Sequence, residues 1–152
     1  MVVEARPILL VEDDRKDVEL ILAAFSDSNI GNKVIVVRDG AEALDYLFQR
    51  GNFAAWSERA PVVILLDLKL PKVDGIQVLQ ALKADPVLKS IPVVMLTSSR
   101  EESDVIRSYN LGVNAYVVKP VDFHDFSHAI RELGLFWTIV NYPPRIGTRC
   151  PK

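Results

Sequence analysis

Five short apolar runs, each closed by a polar residue, constrain this chain more than any other feature. Ile8–Val11 ends in Glu12-Asp13-Asp14, and Val34–Val37 ends in Arg38-Asp39-Gly40. Val62–Leu66 ends in Asp67, Pro92–Leu96 in Thr97, and Ala115–Val118 in Lys119-Pro120. Continuous runs rich in Val and Ile suit strands covered on both faces, as in a parallel sheet. The stretches between them carry helical spacing. Val18, Ile21, Leu22 and Phe25 fall on one helix face, as do Ala41, Leu44, Leu47 and Phe48, with Asp39 as a candidate N-cap. Ile76, Leu79 and Leu82 follow Asp74-Gly75 in the same way. Ser99 to Leu111 reads as a fourth helix stopped by Gly112, and a fifth starts near Asp122 with Phe126, Ile130 and Leu133 turned inward. Gly51 to Ala60 reads as a polar connection. Strand and helix thus alternate five times, which predicts a parallel sheet with helices on both faces.

The strand ends carry the chemistry. Ligands of open α/β sheets bind outside the carboxyl ends of the strands. Here those ends deliver Glu12, Asp13 and Asp67, the Thr97 hydroxyl and the Lys119 ammonium to one rim. Crowded carboxylates repel one another, and a hard divalent cation relieves that repulsion. Mg²⁺ suits such a site, because it takes one or two carboxylates together with waters and phosphate oxygens. Phosphoryl transfer to a carboxylate needs positioning and electrostatic stabilisation above all. Lys119 can neutralise a phosphoryl oxygen, and Thr97 can donate a hydrogen bond to one.

Composition narrows the class. The 152 residues are about one domain's worth, with 49% hydrophobic and 25% charged residues. A formal charge of −2 argues against a nucleic-acid-binding surface. Cys150 is the single cysteine, which excludes a disulfide framework and favours a reducing compartment. The opening MVVEARPILLVEDD lacks the features of a signal peptide, and no apolar run is long enough to span a bilayer. A cytoplasmic location without membrane contact is expected.

ILLVEDD, LLDLKLPKVDG, MLTSS and AYVVKP, in this order, resemble the receiver domain of two-component response regulators, over about Pro7 to Leu133. The resemblance implies a flavodoxin-like (βα)5 fold with strand order 2-1-3-4-5. It makes Asp67 the phosphoacceptor, charged from a phosphohistidine of a sensor histidine kinase. It makes Asp13 a direct Mg²⁺ ligand (with Mn²⁺ as a substitute), Glu12 a neighbouring acid acting through water, and Lys69 a ligand through its backbone carbonyl. Asp67 completes the metal set, and Asp14 is not expected to be a ligand. Thr97 and Lys119 hold the phosphoryl group, Pro120 shapes the turn that aims Lys119, and Tyr116 is the aromatic that turns inward on phosphorylation. The surface of the fourth helix, fifth strand and fifth helix would change with it. Lys69 stands where the family often has a small polar residue. With Ser99, two residues after Thr97, it is a candidate for tuning hydrolysis of the acyl phosphate.

The chain reads as a single receiver domain, with a core of about 7–133 and a C-terminal extension of 134–152. Phe136, Trp137, Ile139 and Val140 in that extension mark a candidate homodimer arm. The ending, the long Gly51–Ala60 connection and LKLPKVDG are similar to stand-alone regulators of bacterial and cyanobacterial phytochromes. That likeness implies a phytochrome-type photoreceptor kinase as partner. Two other readings compete. One is a receiver-like dimerisation scaffold that no longer uses phosphate, against which the complete set Asp13, Asp67, Thr97 and Lys119 speaks. The other is an aspartyl-phosphate phosphohydrolase. That would need a second acid two residues after the nucleophile, where Lys69 stands. A signalling switch that catalyses only its own phosphorylation and dephosphorylation is therefore expected, rather than a turnover enzyme. His124 and His128, at i and i+4, read as surface or packing residues, and Trp56 as a loop aromatic.

Overall fold

Alternating side chains on four- and five-residue strands set the architecture. The computed structural model describes residues 6–54, 60–98 and 101–119, together with His124 and His128. β1 (Ile8–Val11), β2 (Val34–Val37), β3 (Val63–Leu66), β4 (Val93–Thr97) and β5 (Ala115–Val118) form one parallel sheet in the order β2-β1-β3-β4-β5. Ile8 pairs with both Val34 and Val63, Ile64 with Val93, and Val94 with Ala115. This is the flavodoxin-like order expected from the resemblance.

Every residue of β1, β3 and β4 is buried, as strands covered on both faces require. Successive side chains point to opposite faces, so two cores form. Leu9, Val11, Ile64, Leu66, Val93 and Met95 pack with Ala43, Tyr46 and Leu47 of α2 (Gly40–Leu47) and Ile76, Leu79 and Leu82 of α3 (Gly75–Ala84). Ile8, Leu10, Val63, Leu65, Val94 and Leu96 pack with Val18, Ile21 and Phe25 of α1 (Arg15–Asp27). A buried aliphatic side chain of this kind contributes about 1.5–3 kcal/mol relative to leaving it exposed.

Caps define the helix starts. Asp39 caps α2 by accepting from the Glu42 N–H, as its sequence position suggested. Asp14 caps α1 through the Lys16 and Asp17 N–H groups. Asp74 and Gln77 form a reciprocal capping box at the start of α3.

The structure differs from the sequence reading in three places. α2 buries Ala43, Tyr46 and Leu47, while Ala41, Leu44 and Phe48 are half-buried. The helix is seated at Gly40, where a Cβ would lie 1.8 Å from the Val73 carbonyl oxygen. A side chain at this position would collide with the Val73 backbone. The Gly51–Ala60 connection is not wholly polar: Phe53 is buried edge-on against Tyr46, with ring centroids 5.3 Å apart. α4 (Glu102–Asn110) begins later than Ser99 and is followed by Gly112 at φ +99°, a conformation that favours glycine. The expected fifth helix lies mostly outside the described residues, although His124 and His128 are each helical and exposed.

Candidate functional site

Three of the site side chains continue one face of the sheet beyond its strands. Period-two alternation puts Glu12 in line with Ile8 and Leu10, Asp67 with Val63 and Leu65, and Lys119 with Val117. All five of those apolar residues belong to the core that α1 covers. The two acids and the lysine are therefore delivered to the same side, beneath the start of α1.

The backbone fixes them there. The Glu12 N–H donates to the Val37 carbonyl at 3.0 Å, the Asp67 N–H to the Val11 carbonyl at 3.1 Å, and the Lys119 N–H to the Thr97 carbonyl at 2.9 Å. α3 closes on the same point. The Gly75 N–H donates to the Leu68 carbonyl at 2.9 Å, and a Cβ on Gly75 would lie 2.2 Å from the Asp67 carbonyl oxygen. Only glycine lets the helix start approach the Asp67 backbone that closely.

The Lys119 ammonium sits among three carboxylates. Nζ donates to Glu12 Oε1 at 2.5 Å, to Asp17 Oδ2 at 2.8 Å and to Asp67 Oδ2 at 3.2 Å. Glu12 and Asp67 are buried, at 1% and 7% exposure, whereas Asp13 is exposed. Burial pushes the Glu12 carboxyl up to about 7. The Asp67 charge adds to that rise, and hydrogen bonds from Lys119 and the Asp14 N–H oppose it. Burial alone would lower the Lys119 ammonium, but its hydrogen bonds to Asp17 and Glu12 and the charge of Asp67 hold it well above the ordinary lysine value.

Carboxylate oxygens of Glu12, Asp13 and Asp67 all lie within 4.8 Å of one another. Three hard oxygen donors, two of them buried and one open to solvent, fit the donor set of a divalent cation such as Mg²⁺. A cleft of about 490 Å³ opens beside them, between Asp13, Lys69, Pro71, Asp104 and Arg107. The Lys69 N–H faces Asp67 Oδ1 at 3.4 Å, while the Lys69 residue is exposed. Thr97 ends β4 and is buried at 1% exposure. Tyr116 pairs with Met95 across the β4–β5 ladder and is half-buried against the α2–α3 core.

The structure thus brings together Glu12, Asp13, Asp67 and Lys119, and ties Thr97 to Lys119 through the backbone. Asp14 serves as a helix cap. Ser99, Pro120, Trp56 and the segment with Phe136, Trp137, Ile139 and Val140 lie outside the described residues. Asp17 is the site residue that sequence reasoning missed. Its sequence signal was no more than an acid in the first turn of a helix, which the helix N-terminus explains as well.

Residues 8–131 match the model of the response regulator receiver domain family. The chain is 43% identical to the response regulator Rcp1 of Synechocystis over 130 residues, 86% of this chain and 87% of Rcp1. The bacteriophytochrome response regulator RtBRR matches at 63% identity and a TM-score of 0.83, over 92% of this chain and 84% of RtBRR. The Mn²⁺-bound form of Rcp1 matches at 41% identity and a TM-score of 0.73, over 92% of this chain and 99% of that one. With the strand order and the acid cluster, these matches lead to one conclusion: the chain belongs to the response regulator receiver domain family.

Proposed function

We propose that this protein is a phosphorylation-operated switch that accepts a phosphoryl group on Asp67 from a phosphohistidine of a sensor histidine kinase. The observation that carries this reading is the Asp67 carboxylate, held 3.2 Å from the Lys119 ammonium inside a cluster of three convergent acids. An Asp67 oxygen attacks phosphorus, the N–P bond of the phosphohistidine breaks, and its electron pair returns to the imidazole, which takes up a proton. Lys119 exchanges its bond to Asp67 for one to a phosphoryl oxygen, and the Thr97 hydroxyl donates to another. Glu12, Asp13, Asp67 and the Lys69 carbonyl are the residues that would hold Mg²⁺, or Mn²⁺ in its place. The ion supplies charge neutralisation for the transferred group. Movement of Thr97 toward the phosphoryl group frees space for Tyr116, which turns inward and reshapes the surface that includes α4 and β5. Pro120 shapes the turn that aims Lys119.

The likeness to the bacteriophytochrome response regulator RtBRR supports a phytochrome-type photoreceptor kinase as the phosphodonor. A single receiver domain with core 7–133, an extension 134–152 acting as a homodimer arm, and a cytoplasmic location complete the reading. Among the described residues no helix is long and apolar enough to cross a membrane.

Intact mass spectrometry after incubation with acetyl phosphate tests the switch. The expected result is a gain of one phosphoryl group that requires Mg²⁺ and is absent from Asp67→Ala. No gain in folded protein, from acetyl phosphate or from a phosphohistidine donor, would overturn it.

A further inference from the structure

Asp17 has no part in the roles assigned above, yet it takes one of the three hydrogen bonds of the Lys119 ammonium. An ammonium has three hydrogens and no acceptor. Glu12, Asp17 and Asp67 therefore saturate it. Two of these partners, Glu12 and Asp67, also belong to the convergent group of oxygens that suits a divalent cation; Asp17 does not. Lys119 and such a cation compete for the same two carboxylates, and as like charges they repel each other. Lys119 stays at the site alongside the cation only if a carboxylate outside the cation's ligand set remains to hold it.

Asp17 is built for that. It stands in the first turn of α1, where its N–H donates to the cap Asp14 Oδ1 at 3.2 Å, so its backbone is fixed. Its side chain is 30% exposed, against 12% for Lys119 and 1% for Glu12. An ammonium moving toward Asp17 thus moves toward the better-solvated edge of the cluster, where its charge is less costly.

We propose that Asp17 is a positioning residue, which takes over the Lys119 ammonium when a divalent cation engages Glu12, Asp13 and Asp67. Lys119 then remains beside Asp67 without blocking the cation's ligands. This rests on the reading of the acid cluster as a cation site next to a phosphoacceptor. Without Asp17, Lys119 falls back on Glu12 and Asp67 and competes harder for them.

Titration calorimetry with Mg²⁺ alone tests this on wild type, Asp17→Asn, Lys119→Gln and the double variant. Asp17→Asn is expected to weaken Mg²⁺ binding about three- to tenfold when Lys119 is present, and by less than about 1.5-fold in the Lys119→Gln background. Asp17→Glu is expected to retain wild-type affinity. Phosphorylation by acetyl phosphate should need correspondingly more Mg²⁺ in Asp17→Asn. Equal affinity in wild type and Asp17→Asn would overturn the proposal. So would an equal loss in both Lys119 backgrounds, because Asp17 would then act only through its charge. If wild type binds no Mg²⁺, the cation-site reading falls and this inference with it. If wild type binds Mg²⁺ and the coupling to Lys119 is absent, the inference falls alone.

Discussion

Lys119 pairs with Asp67 across an intervening strand: Nζ lies 3.2 Å from Asp67 Oδ2, although β4 separates the strands that lead into the two residues. The lysine side chain spans that gap along the α1-covered face. It reaches Glu12, at the end of β1, in the same way. One cation thereby ties together the ends of three strands, and the account of the site depends on its release from Asp67.

Replacing that cation should separate its two effects. Lys119→Gln removes the charge that balances the buried Glu12 and Asp67 carboxylates. Breaking a buried pair by removing one partner costs about 3 kcal/mol. The variant should therefore melt well below wild type in a chelator, and Mg²⁺ should raise its melting temperature more than it raises that of wild type. Differential scanning fluorimetry with and without Mg²⁺ checks this. An equal Mg²⁺ response in the two proteins would mean that Lys119 does not compete for the acid cluster.

Gly75→Ala tests the packing of α3 against Asp67. The added Cβ would lie 2.2 Å from the Asp67 carbonyl oxygen and 2.8 Å from the Leu68 Cα, so backbone must shift. Overpacking of this kind costs about 1–3 kcal/mol. The midpoint of urea unfolding should fall accordingly, and phosphorylation of Asp67 by acetyl phosphate should slow. A midpoint and a rate both equal to those of wild type would show that α3 does not position Asp67.

The proposed dimer arm is open to a direct test. Phe136→Ser with Trp137→Ser should convert a dimer into a monomer in light scattering, because interface aromatics carry a large share of binding energy. An unchanged mass would remove the C-terminal arm from the interface.

Most of the fold was legible because short buried strands leave few alternatives. Ile8–Val11, Val34–Val37 and Ala115–Val118 are strands over the same residues that the apolar runs marked, while the start of β3 and both ends of β4 shift by one position. Four site residues, Glu12, Asp67, Thr97 and Lys119, were legible because each closes or follows a strand. Asp17 was not, because an acid in the first turn of a helix is ordinarily explained by the helix dipole and by solvent. Its contact with Lys119 lies 102 positions away in sequence and depends on how α1 lies across the sheet. The inward face of α2 was legible only in part: of Ala41, Leu44, Leu47 and Phe48, Leu47 is buried, beside Ala43 and Tyr46, and the other three are half-buried.

The central claim is that Asp67 receives the phosphoryl group. Its most direct test is phosphotransfer from a phosphorylated, phytochrome-type histidine kinase, followed by borohydride trapping and peptide mapping. Reduction of an aspartyl phosphate leaves homoserine at the modified position. The account predicts homoserine at residue 67 and nowhere else, with no transfer to Asp67→Ala. Homoserine at Asp13 or Asp14, or transfer that survives Asp67→Ala, would contradict it.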